Sequence, residues 1–194
     1  MLKYLPLLAL AACSAAPAND TAPAPAPSAT PVAATTPSPT PSATPETPQL
    51  ALSVDGEGLR FVYPNGRTVP LAFGTSQAQA ITATTAALGD PKARGTNADC
   101  PSGPVQFARW ESGFTLHFRD AALVGWTGAP GVTNMAGIGV GSTRRDLTDV
   151  LDARIEQTSL GTQFTAGGLT GILASDAPDA KIEAMWAGEG CVAS

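Results

Sequence analysis

The chain has one histidine and three cysteines in 194 residues. A Ser-His-Asp triad, or a metal site assembled from His and Cys, therefore has little to draw on. Charge is scarce too: 14% of residues are charged, against about 25% in an average globular protein. Formal net charge is −5 and the isoelectric point is near 4.7. A nucleic-acid binder normally carries a basic patch, so nucleic acid is not an expected partner. No apolar run approaches the ~20 residues needed to span a bilayer. Neither a cofactor nor a metal is expected.

Proline, by contrast, is abundant and unevenly placed. Ten of the 18 prolines fall between Ser14 and Gln49, in a stretch of Ala, Pro, Thr and Ser whose only charges are Asp20 and Glu46. Such a segment lacks the bulk for a core and leans to polyproline II. Extended at ~3 Å per residue, it would reach on the order of 100 Å. The foldable part is then residues 50–194, about 145 residues, enough for one modest core.

Ahead of the tether, Lys3 and the short apolar run from Leu5 to Ala12 read as a secretory signal over residues 1–12. The run ends Leu10-Ala11-Ala12-Cys13. This resembles the lipobox of bacterial lipoproteins, in which the thiol is acylated and the cysteine becomes the new N-terminus. The resemblance implies lipidation at Cys13, a tether over residues 13–49, and a membrane partner through the anchor. Ser14, an uncharged residue after the anchor cysteine, implies an outer-membrane, periplasm-facing location. The plain alternative is an ordinary signal cleaved at Ser14-Ala15-Ala16.

From Leu50 onward the pattern becomes alternating. Leu50, Leu52 and Val54, then Leu59, Phe61 and Tyr63, then Val69 to Phe73 predict three strands, with Pro64-Asn65-Gly66-Arg67 as a hairpin turn. Gly74-Thr75-Ser76 opens a helical stretch, and Gly141-Ser142-Thr143 opens another 67 residues later. Ser76 with Gln79, and Thr143 with Asp146, match the capping box. Ala80, Ala83, Thr84 and Leu88 in the first stretch, and Leu147, Val150, Leu151 and Ile155 in the second, form one helical face each.

Strand-like runs follow each helix: Val105 to Trp110, Phe114 to Phe118 and Ala121 to Trp126, then Gly161 to Phe164, Leu169 to Ala174 and Lys181 to Trp186. The expectation is an α+β domain in which two helix-plus-antiparallel-meander units, residues 69–128 and 136–191, form one core as an internal duplication. The alternative is a single α+β sheet with two unrelated helices. Gly74-Thr75-Ser76 with Leu88-Gly89, and Gly141-Ser142-Thr143 with Val150-Leu151, resemble the BamE/SmpA and β-lactamase-inhibitor-protein group. The second unit departs from that pattern, having no Gly after its helix. The resemblance implies a secreted or lipid-anchored domain that binds another protein.

The remaining candidates are few. Cys100 and Cys191 form an even pair, which in an oxidising compartment predicts a disulfide. His117 and Arg119 alternate with Phe114, Leu116 and Phe118 and so face away from them. Trp110, Trp126 and Trp186 lie at strand ends, either packed in the core or, with His117 and Arg119, forming an interaction surface. Gly137, Ile138, Gly139, Val140 and Gly141 imitate a dinucleotide-binding loop, but neither a preceding strand nor an acidic residue ending a second strand is expected there. Asp146, Asp149, Asp152 and Glu156 read as a solvated acidic helix face, and Asp176 and Asp179 as turn residues around Pro178. The expected function is a non-catalytic, lipid-anchored envelope protein that binds another envelope protein. The alternative is a small-ligand or glycan-binding domain, and an enzyme is the least favoured class.

Overall fold

The computed structural model describes residues 50–100 and 102–191. The signal, Cys13 and the tether lie outside them. The strands β1 (Ala51–Asp55), β2 (Gly58–Val62) and β3 (Thr68–Ala72) form a three-stranded antiparallel sheet in the order β1-β2-β3. Its turn residues are those the sequence supplies, with Gly66 at φ 80° and Asn65 capping Arg67 N–H through its side chain. Then come α1 (Gln77–Leu88), β4 (Ala93–Asn97), β5 (Val105–Arg109), β6 (Thr115–Arg119) and β7 (Ala122–Thr127). The second half holds α2 (Arg144–Val150), β8 (Arg154–Thr158), β9 (Gly161–Ala166), β10 (Leu169–Leu173) and β11 (Ile182–Gly188). Strands β4 to β11 make one eight-stranded antiparallel sheet, in the order β4-β5-β6-β7-β11-β10-β9-β8.

The fold is therefore mostly β, two antiparallel sheets with two short helices, and not the expected α+β arrangement of two helix units. Two strands that the sequence reading missed account for much of the difference. β4 lies between the first expected helix and the Val105 to Trp110 run, where no strand was expected. Its residues, Ala-Arg-Gly-Thr-Asn, are all exposed and show no apolar alternation, so hydrogen bonding to β5 holds it as an edge. β8 was expected to be the end of the second helix. That helix stops at Val150, because Leu151 turns extended (φ −124°, ψ 143°), and it buries only Leu147. Ile155, assigned to the helix face, is the inward residue of β8 between Arg154 and Glu156. A spacing of four from Leu151 suits a helix, and the same residue suits a strand of period two.

Both helix starts are where the caps place them. Ser76 Oγ accepts from Gln79 N–H, and Thr143 forms a full capping box with Asp146. Gly89, at φ 77°, closes α1 with its N–H on Thr85 O. Ala80 and Ile81 of α1, Leu147 of α2, and Val54, Leu59 and Phe61 of the small sheet join one cluster with Leu116, Phe118, Trp126, Phe164, Leu169 and Met185 of the large sheet. Both helices and the small sheet thus pack on one face of the eight-stranded sheet. Leu88 and Ile155 are only partly buried at its margin.

Candidate functional site

Residues opposite one another on neighbouring strands point to the same side of a sheet. Following the pairing across the large sheet gives one continuous row: Ala93, Arg109, Thr115, Thr127, Trp186, Thr170, Thr165 and Arg154. This row lies on the face opposite the core. Four threonines flank Trp186, which sits half-buried at the seam between β7 and β11, and an exposed arginine stands near each end. Threonine is favoured here because a β-branched, half-polar side chain suits a pleated, half-buried surface, and Thr115 is buried outright.

The β4–β7 half of this face is hollowed into a cavity of about 430 Å³, lined by Asn97, Val105, Phe107, Arg109, Gly113, Thr115, His117, Thr127 and Cys191. Cys100 and Cys191 form a disulfide with their Cα atoms 4.9 Å apart, as the pairing argument expected. Asn97 Nδ2 donates to Cys191 Sγ at 2.9 Å, so the bridge and the β4 edge share one rim. His117 Nε2 lies 2.8 Å from Thr127 Oγ1. Arg109 Nε donates to Thr115 Oγ1 at 3.4 Å, that hydroxyl donates to Gly113 O at 2.9 Å, and the guanidinium stands 5.5 Å from the Phe107 ring centroid. A β-bulge adjoins the site: His117 pairs with Gly125 but Phe118 with Leu123, leaving Val124 as the extra residue.

The sequence candidates separate cleanly. His117, Arg119 and Trp186 are on the open face. Trp110 and Trp126, offered as surface residues, are 2% and 0% exposed. Their indole N–H groups are spent inside the fold, Trp110 on Gly89 O at 2.8 Å and Trp126 on Asp55 O at 3.0 Å. A large ring whose polar tip finds a backbone carbonyl is fully accommodated in a core, so these two belong to packing. Arg119 is bound to Glu189 and to Ser102 Oγ, tying two loops together at the rim.

The acidic run does not form one face. Asp146 caps α2, and the Thr143 hydroxyl and backbone N–H hold its carboxyl below the usual range. Asp152 lies beyond the helix, and Glu156 pairs with Arg154 on β8 at 3.2 Å. Asp176 and Asp179 are exposed in the β10–β11 connection. Gly137, Gly139 and Gly141 lie in the irregular segment between β7 and α2. Among the described residues, no group of three or more His, Cys, Asp or Glu gathers as a metal site.

Sequence reasoning missed Arg109, Phe107, Asn97 and the threonine row. The alternation in Val105-Gln106-Phe107-Ala108-Arg109 held a usable signal, since it places Phe107 and Arg109 on one side. The pairing of β7 with β11 held none, being a contact between segments some 60 residues apart.

His117 is 7% exposed, and burial, followed by the nearby Arg109 charge, pushes its pKa down to about 4. The folded state therefore resists protonation while the unfolded chain protonates near 6.5. Between those values the unfolded state binds more protons, so stability falls as pH drops from about 6.5 to about 4, by roughly 3 kcal/mol. Urea unfolding across that window should show this slope, and His117→Gln should flatten it. An equal slope in the variant would remove His117 as the cause.

Comparison with protein-family models, curated proteins and solved structures finds no match for this chain.

Proposed function

We infer that this chain is a non-catalytic, lipid-anchored envelope protein that binds another envelope protein across the open face of its eight-stranded sheet. The observation that carries the reading is Trp186 at the middle of the threonine row, on the side of the sheet that neither helix nor the small sheet covers. A Trp flanked by short polar side chains offers large contact area at little entropic cost, the composition of interface anchors. The Leu10-Ala11-Ala12-Cys13 resemblance supports the anchor and the outer-membrane location. The likeness of the two helix-opening motifs to an inhibitor-protein group supports a protein as partner. The cavity beside the row favours a second reading, a small-ligand site.

A photo-cross-linking residue at Thr170, on the open face, should give a discrete adduct in intact envelopes. The same probe at Thr82, on the exposed side of α1, should not. Trp186→Ala should remove the Thr170 adduct, and Cys13→Ala should weaken it by releasing the protein from the membrane. Equal adducts from both positions, or none, would overturn the reading.

A further inference from the structure

The cavity over β4–β7 has an uneven chemistry. Phe107 and Val105 make an apolar wall, while the polar lining is Asn97, Arg109, Thr115, His117 and Thr127. Among the described residues, Arg109 is the one charged residue lining it, and no carboxylate does so. Its neighbour Glu111 is held away by Lys92 at 2.9 Å. The Arg109 guanidinium is oriented by Thr115 through Nε and by the Phe107 ring, and among the described residues its Nη groups have no acceptor. Three of the other arginines, Arg60, Arg119 and Arg154, each pair with an acid.

His117 adds a second, independent pointer. The residue is 7% exposed and lines the cavity, with Nε2 engaged by Thr127 and Nδ1 lacking any partner among the described residues. When the Thr127 hydroxyl donates to Nε2, Nδ1 carries the ring proton and offers it to the cavity. The charged groups around His117 are Arg109 on β5 and, beyond it, the Arg119–Glu189 pair at the rim. None of these is an acceptor free to take that proton.

We propose that this cavity is a binding site for a carboxylate carried on a short apolar or aromatic body. The carboxylate lies across the Nη groups of Arg109, a planar donor pair suited to bidentate recognition, and takes a hydrogen bond from His117 Nδ1. The apolar body rests on Phe107 and Val105. At about 430 Å³ the space suits a small molecule or one large side chain, within the ~300–1,000 Å³ of ordinary ligand sites. A free small acid and the C-terminal residue of a peptide share this chemistry. The partner-binding face centred on Trp186 is a separate claim, and neither depends on the other.

The chain's only histidine makes the test simple, because the imidazole signals in an NMR spectrum belong to His117 alone. Phenylacetate added at pH 7 should shift those signals saturably, and phenylacetamide, its neutral counterpart, should not. With phenylacetate bound, the His117 pKa should rise by about one unit, the sign expected when an anion arrives beside it. Arg109→Gln should weaken binding about tenfold or more, and Arg109→Lys should retain part of it. N-acetyl-Gly-Phe with a free terminus, compared with its amide, separates the sources: tighter binding than phenylacetate points to a peptide end, weaker binding to a free acid. No response to phenylacetate, an equal response to the amide, or unchanged binding in Arg109→Gln would overturn the site. Trp186→Ala should leave the His117 response intact, so failure of the partner reading is visible apart from failure of this one.

Discussion

Trp126→Ala should lower the unfolding free energy by about 3–5 kcal/mol, the range for deleting a large buried aromatic side chain. Trp126 is 0% exposed and stands in the core cluster where the small sheet meets the large one. Its Nε1–H donates to Asp55 O, the last residue of β1, so truncation opens a cavity and also strips that carbonyl of a partner. Domains of this size are stable by only about 5–15 kcal/mol, so the loss is a large share of the total. Trp186→Ala supplies the contrast. It removes a half-buried ring from the opposite face and should cost about 1 kcal/mol or less, near the small effects typical of surface positions. Urea denaturation of both variants, with the slope compared as well as the midpoint, measures the difference. Equal losses would mean that the two faces of the sheet are not as unlike as their burial indicates.

Reducing the Cys100–Cys191 bond should cost about 2–5 kcal/mol. The bond closes a loop with a sequence separation of 91, close to the length at which the chain-entropy model reaches its upper range of about 4–5 kcal/mol. It ties the β4–β5 connection to the chain just beyond β11. Guanidinium unfolding with and without reductant reads the effect, and a Cys100→Ser/Cys191→Ser variant should match the reduced protein and ignore the reductant. A reductant effect that persists in that double variant would assign the loss to something other than the bridge. The pH slope assigned to His117 should survive reduction, since Thr127, which bonds the ring, and Arg109, whose charge opposes its protonation, both stand on strands and not on the bridge.

What the sequence made legible was whatever left a local trace. The three strands of the small sheet alternate, their turn is Pro-Asn-Gly, and both helix starts carry a hydroxyl three residues before a polar partner. The direction of His117, away from Phe114, Leu116 and Phe118, followed from strand periodicity. The fold class did not follow, because Ala93–Asn97 is a strand made by its neighbour, and Leu147, Val150, Leu151 and Ile155 fit two periods at once. Tryptophan was ambiguous for a related reason. Trp110 and Trp126 have carbonyls of Gly89 and Asp55 waiting for their N–H groups, and those carbonyls lie 21 and 71 residues away. The cavity was illegible in the same way: its wall joins four strands, and only β5 and β6 hint at their contributions locally.

The order β4-β5-β6-β7-β11-β10-β9-β8 has a consequence for how the chain assembles. Each group of four strands is built from hairpins between sequence neighbours, which close quickly because little chain entropy is lost. The two ribbons pair along Trp186–Thr127, Ala187–Trp126 and Gly188–Gly125. During synthesis the ribbon from Ala93 to Thr127 is complete before the second begins, and although the start of β7 bonds to Gly74–Gln77, the Gly125–Thr127 end of its inner border stays unpaired until β11, the last strand, arrives. For that interval the nascent protein displays an open strand bearing Trp126, the kind of edge that recruits wrong partners. The interval ends only when the final strand docks, and Cys191, three residues after it, can reach Cys100 only then. Oxidation would therefore come late and seal a seam already formed, and a holdase that covers β7 in the meantime would be worth more to this protein than one that accelerates any single hairpin.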